Sequence, residues 1–136
     1  MARYGMPDIT MPAIRKYARQ VAERFKPDKI ILFGSFAYGE PHQDSDVDLL
    51  VVMPCANHIT QAVRIMTLLD APFPLDLIVR SPTHLRKRIK EGSWFLREIV
   101  EKGKVLYAKR NSMMGPKGRG RPAYRSPGRK GKTPAS

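Results

Sequence analysis

Residues 30 to 52 read Ile30-Ile-Leu-Phe-Gly-Ser-Phe-Ala-Tyr-Gly-Glu-Pro-His-Gln-Asp-Ser-Asp-Val-Asp-Leu-Leu-Val-Val52. The stretch opens as a continuous apolar run, the pattern of a strand covered on both faces, and breaks at Gly34 and Ser35. A short helix is expected between Phe36 and Gly39, followed by a polar loop through Glu40, Pro41, His42, Gln43 and Asp44. A second apolar strand then runs from Asp46 to Val52 and is closed by Pro54. Ten residues separate Ser35 from Asp46, so a glycine turn and a carboxylate pair share one short segment.

The flanking sequence supplies helices and more strand. Met11, Ile14, Tyr17, Ala18, Val21 and Phe25 recur at steps of three and four, which predicts an amphipathic helix from about Asp8 to Phe25. A helix over His58 to Leu69 is expected to turn Ile59, Ala62, Val63, Met66 and Leu69 inward, and Pro74 to Val79 reads as a third strand. Ser81 followed by Pro82 is a helix start, with the hydroxyl as cap and proline in the first turn. Leu85, Ile89, Trp94, Phe95, Ile99 and Val100 anchor one or two further helices broken near Gly92. Val105 to Tyr107 adds a short last strand. Strands alternating with helices place the chain in the α/β (α+β) class.

With 136 residues, 42% of them hydrophobic, the chain builds one compact core. Two segments are expected: a folded domain over residues 1 to 108 and a disordered basic tail over 109 to 136. The tail holds nine Lys and Arg and no acid, whereas the first 108 residues hold sixteen basic against twelve acidic side chains. Its Gly, Pro, Arg and Lys composition cannot offset the roughly 1 to 2 kcal/mol per residue that backbone ordering costs. Gly118-Arg-Gly-Arg121 suits non-specific contact with nucleic-acid phosphates.

Cys55 is alone, and His42, His58 and His84 lack the paired spacing of a zinc site. No stretch approaches the roughly 18 apolar residues of a membrane span, and no secretory leader pattern opens the chain. A reducing cytoplasm is the expected location.

The chemistry concentrates on three acids. Side chains two apart on a strand share a face, so Asp46 and Asp48 point together, about 7 Å apart at Cα, while Val47 and Leu49 face the core. An open carboxylate pair suits Mg²⁺, which takes a few carboxylates plus phosphate oxygens. Asp76 interrupts the apolar run of Leu75, Leu77 and Ile78, where a buried carboxylate needs a cation or a reacting proton to justify it. Three such acids meet the requirements of a two-metal site. Gly34 lets a backbone approach phosphate closely, and Ser35 adds a hydroxyl.

Plainer readings stand beside these. Asp46 and Asp48 fit a solvated strand end, Asp76 fits an ion pair with Arg80, and Ser35 fits a helix cap. Asp44 and Ser45 suit a turn as well as second-sphere support, and His42 suits a solvated loop. Trp94 and Phe95 are expected in the core rather than as a nucleobase platform, and the run Arg86, Lys87, Arg88, Lys90 as a wet helix face.

Taken together, strand, Gly34-Ser35, ten residues, Asp46-Val-Asp48 and a later strand aspartate resemble the minimal nucleotidyltransferases of the DNA polymerase β superfamily. The resemblance covers roughly residues 10 to 107. It implies a small mixed sheet flanked by helices, with Asp46 and Asp48 as ligands of two Mg²⁺ ions. Asp76 is implied as third ligand and activator of the acceptor hydroxyl. ATP or another NTP is implied as donor, with Gly34 and Ser35 on its triphosphate and pyrophosphate as leaving group. Members this small usually pair with a helical HEPN protein, and in toxin–antitoxin systems of this type they silence it by adding AMP to a tyrosine; the chain resembles such an antitoxin. One departure is Tyr38, which stands where many relatives carry Arg and implies weaker triphosphate binding or slower transfer. Two other functions fit the same residues: a nucleic-acid-binding module with weak catalysis, and a transferase for a small molecule or an RNA 3′ end.

Overall fold

The computed structural model describes residues 9–39, 41 and 45–109. The expected tail beyond Lys109, the loop residues His42 and Asp44, and the expected helix start at Asp8 lie outside these. In chain order the elements are α1 (Met11–Phe25), β1 (Lys29–Phe33), α2 (Ser35–Tyr38), β2 (Val47–Val52), α3 (His58–Leu68), β3 (Leu75–Arg80), α4 (Pro82–Lys90), α5 (Trp94–Lys102) and β4 (Lys104–Ala108). The four strands form one mixed sheet in the order β3-β2-β1-β4. β1 runs antiparallel to both β2 and β4, whereas β2 and β3 are parallel, joined by the α3 crossover.

Period-two alternation gives the sheet two apolar faces. On one, Ile30, Leu32, Val47, Leu49, Val51 and Val79 pack with α1 and α3 residues such as Ile14, Val21 and Ile65. On the other, Ile31, Phe33, Leu50 and Val52 pack with Leu85 of α4 and with Leu96 and Ile99 of α5. β1 and β2 are covered from both sides, which is why they are apolar apart from Lys29 at the start of β1 and Asp48 near the start of β2. Each fully buried Leu or Ile contributes about 1.5 to 3 kcal/mol, so these layers hold the sheet together.

Local signals set the helix ends. Thr10 caps α1 through the Ala13 amide at 3.3 Å, Asn57 caps α3 through Thr60 at 2.9 Å, and Ser81 caps α4 through His84 at 3.2 Å. Tyr17 is buried, its ring edge-on to Phe73 with centroids 5.9 Å apart, and its hydroxyl donates to the Leu69 carbonyl at 2.9 Å. Burial, helped by the Asp70 charge, pushes that phenol up to about 12.

Two expectations fail here. α3 buries Ala62 and Ile65, while Ile59 and Val63 face outward at 78% and 53% exposure. The stripe Ala62, Ile65, Met66, Leu69 fits the helical period as well as the expected one, and only the angle at which α3 lies on β3 selects it. Ser35 is not the cap of α2: that position is Gly34, with no side-chain cap bond.

Candidate active site

Gly34 ends β1 with φ 76°, a conformation that side-chain-bearing residues rarely adopt, and a Cβ built on it would run into the Asp48 carboxylate. Glycine is therefore required twice over, by the backbone and by the acid opposite. The register puts Phe33 across from Asp48 and, on the other side of β2, Asp48 beside Asp76. Neighbouring strands run about 4.8 Å apart, so these two carboxylates are held side by side.

Asp46 lies one residue before β2, exposed, and its charge reaches Asp48. Asp48 is half-buried, and its carboxyl is pushed up to about 6. Desolvation is the largest cause, followed by the charges of Asp76 and Asp46 and by a hydrogen bond with Asp76. Like charges gathered in a partly dry cleft call for a cation or a proton. Among the described residues no three His, Cys, Asp or Glu side chains form a ready-made metal nest. The Asp48–Asp76 pair with Asp46 beside it nevertheless fits a hard cation that completes its shell with phosphate oxygens and water.

Asp76 differs from its expected setting. It is exposed on the edge strand β3 rather than sunk in an apolar run, because β3 is covered less completely than β2. The burial cost that singled it out does not apply; its place beside Asp48 does. Nor does Arg80 pair with it, since that residue sits at the far end of β3 with its guanidinium on the Val79 carbonyl at 2.7 Å. Among the described residues no ion pair involves Asp76.

A cleft of about 350 Å³ opens over Asp48 and Asp76, lined also by Gly34, Tyr38, Trp94 and Phe95, and Asp46 is not in its lining. Trp94 and Phe95, expected in the core, are 71% and 46% exposed. Phe95 stands edge-on to Phe33 at 5.8 Å and Trp94 edge-on to Phe95 at 6.4 Å, forming an aromatic wall. On α5 the places against the sheet go to Leu96 and Ile99, and Trp94 and Phe95 fall on the side that lines the cleft. Glu98, one turn on, also lines the cleft and was not anticipated.

The histidines hold another surprise. His58 and His84, 26 positions apart in the sequence, meet with ring centroids 4.7 Å apart. His58 Nε2 accepts from the Ser81 amide at 3.2 Å, and burial, His84 and Arg80 lower its pKa. They lie at the end of β3 away from Asp76.

The nucleotidyltransferase-domain family matches residues 14–107. The chain belongs to that family. It is accordingly a nucleotidyltransferase, and the Gly34, Asp48 and Asp76 cleft is the candidate centre of its reaction. A protein of Methanocaldococcus jannaschii, provisionally named a protein adenylyltransferase, is 32% identical over 98 residues, covering 70% of this chain and 95% of the relative. A second protein of that organism with the same provisional name is 29% identical over 85 residues, covering 57% and 85%. In three dimensions the nucleotidyltransferase fold recurs in a Sulfolobus solfataricus protein provisionally described as a nucleotidyltransferase. The TM-score is 0.51, with 18% identity over 74% of this chain and 82% of that one.

Proposed function

We propose that this nucleotidyltransferase moves AMP from ATP to a hydroxyl on a protein acceptor, a tyrosine of a HEPN-type toxin, and so acts as the antitoxin of a pair. The observation that carries the chemistry is the in-register placement of Asp48 beside Asp76, with Asp46 near and Gly34 opposite. The protein acceptor is supported by the provisional names of the relatives, and the toxin by the resemblance noted in the sequence.

In this reading Asp46, Asp48 and Asp76 would hold two Mg²⁺ ions. Bound there, the cations would neutralise the developing phosphate charge and sharpen the acceptor oxygen as a nucleophile. The triphosphate lies against Gly34 and Ser35, beside these acids. Trp94 and Phe95 offer the adenine an apolar wall in the same cleft. Asp76, the more exposed of the paired acids, takes the proton of the acceptor hydroxyl. The acceptor oxygen then bonds to the α-phosphorus as the bond to the bridging oxygen breaks and pyrophosphate leaves. Positioning and charge supply most of the acceleration.

The catalytic unit is residues 1 to 108, with 109 to 136 appended as a basic tail. No helix of the described residues is long and apolar enough to cross a membrane, and the proposal places the reaction in the cytoplasm, where ATP and Mg²⁺ are abundant. The test is incubation with each α-labelled NTP and Mg²⁺, with and without the product of the neighbouring gene. Label from ATP is expected in that protein, absent for Asp46→Ala, Asp48→Ala and Asp76→Ala. Label on RNA ends or on a small molecule without any protein acceptor would overturn the assignment of substrate, and full labelling by all three variants would overturn the site.

A further inference from the structure

A groove of about 580 Å³, larger than the active-site cleft, lies between α1 and β4. Four cations reach it: Arg15, Arg19 and Lys26 from α1 and its cap, and Lys109 after β4. Glu23 is the one acid in its lining. Ala22, Leu106 and Tyr107 form an apolar floor. The groove is built rather than incidental, because Lys109 is pinned on Asp28 by its amide at 2.7 Å and its ammonium at 3.6 Å.

This groove is separate from the reaction centre. α1 covers the face of the sheet opposite to α5, which frames the active-site cleft. Along β1, Lys29 pairs with Ala108 at one end and Phe33 with Asp48 at the other.

The charge limits what can sit there. The chain's own segment after Lys109 carries eight more Lys and Arg without an acid, so it is repelled by the rim rather than seated on it. A second copy, with a net charge of +13, is opposed in the same way. A polyanion is attracted by both. Arg15 and Arg19 are one helical turn apart and both exposed, so two guanidinium forks line up along the groove. A tyrosine in the floor beneath a cationic rim favours unstacked bases over an acidic peptide.

We propose that the α1–β4 groove binds single-stranded nucleic acid, with phosphates on Arg15, Arg19 and Lys26 and a base over Leu106 and Tyr107. The site does not depend on the identity of the protein acceptor and holds whether or not a toxin is the target.

The test uses the full chain and fluorescent single strands of about 12 nucleotides, as RNA and as DNA, followed by anisotropy over a salt series. Arg15→Glu/Arg19→Glu is expected to weaken binding at least about tenfold and to flatten the slope of log K against log salt by about 1.4, two phosphate contacts' worth. Arg15→Gln/Arg19→Gln falls between, and Tyr107→Leu lowers affinity about fivefold or more with an unchanged slope. Nucleotide transfer stays at the parent level in the arginine variants, which reports an intact fold. Binding of RNA, DNA or both satisfies the proposal and says which strand is carried. Unchanged affinity and slope in the Glu variant, or no binding by the parent, overturns it. Displacement of the oligonucleotide by polyglutamate as readily as by unlabelled strand overturns it in favour of an acidic protein partner.

Discussion

Asp48 is the residue on which the site turns, because it meets two other carboxylates while partly withdrawn from water. Its raised pKa means that the folded protein holds a proton there more tightly than the unfolded chain does. Stability is therefore lost as pH rises from the ordinary 3.8 through about 6. In metal-free buffer Asp48→Asn is expected to stabilise the fold by about 1 kcal/mol above that window, after solvent screening, and by nothing below it. Urea midpoints at the two ends of the range check this, while nucleotide transfer is lost at both. Gly34→Ala is expected to destabilise by about 1 to 3 kcal/mol, since it meets both a strained φ and the Asp48 carboxylate, and to abolish transfer. Asp48→Gly in the same chain removes the collision but not the backbone strain, so double-mutant thermal melts separate the two causes. Asp46, Asp48 and Gly34 were visible in sequence because their spacing is local. Asp76 lacks the burial that its apolar neighbours predict, and its place in the candidate site comes from a neighbour on another strand.

At the scale of elements, α3 decides two predictions. Its buried and exposed stripes are both apolar, and the structure ranks them. Ile65→Ala is expected to cost about 2 to 5 kcal/mol, whereas Ile59→Asp and Val63→Asp stay within about 0.5 kcal/mol, as read from denaturant midpoints. Were Ile59→Asp to unfold the protein, the orientation of α3 would be wrong. The start of α3 is also tied to α4 through the neutral His58 ring, which accepts from Ser81. A histidine whose folded pKa is lowered binds fewer protons than the unfolded chain, so its contribution fades as pH falls through 6.5 toward that lower value. His58→Gln is expected to remove that part of the acid sensitivity, measured as a flatter stability profile below neutrality. The helix starts at Ser81 and Asn57 follow from cap chemistry a few residues long, whereas the meeting of His58 with His84 depends on two helix starts brought together at one end of the sheet.

For the whole molecule, the mixed sheet converts separate signals into one site. Its parallel pair β2 and β3 sets two acids in register, its antiparallel pair β1 and β2 sets the glycine against one of them, and α5 closes the cleft with aromatic rings. Mg²⁺ with a non-hydrolysable ATP analogue is expected to raise the melting temperature of the parent, and chelation to reverse it, because a ligand that binds only the folded state stabilises by mass action. Asp48→Ala is expected to lose the response; an equal rise in that variant would place the cation elsewhere.

The linear chain by itself determined the strands and helices, the glycine turn and the first two acids, since hydrophobic period, caps and short spacings act over a few residues. The tertiary structure decided the rest: which side of α3 is wet, that Trp94 and Phe95 line the cleft, that Asp76 stands exposed beside Asp48, and that α1 and β4 enclose a basic groove. Those facts depend on how layers pack and how strands pair across long separations, and no local pattern encodes the angle at which one element rests on another.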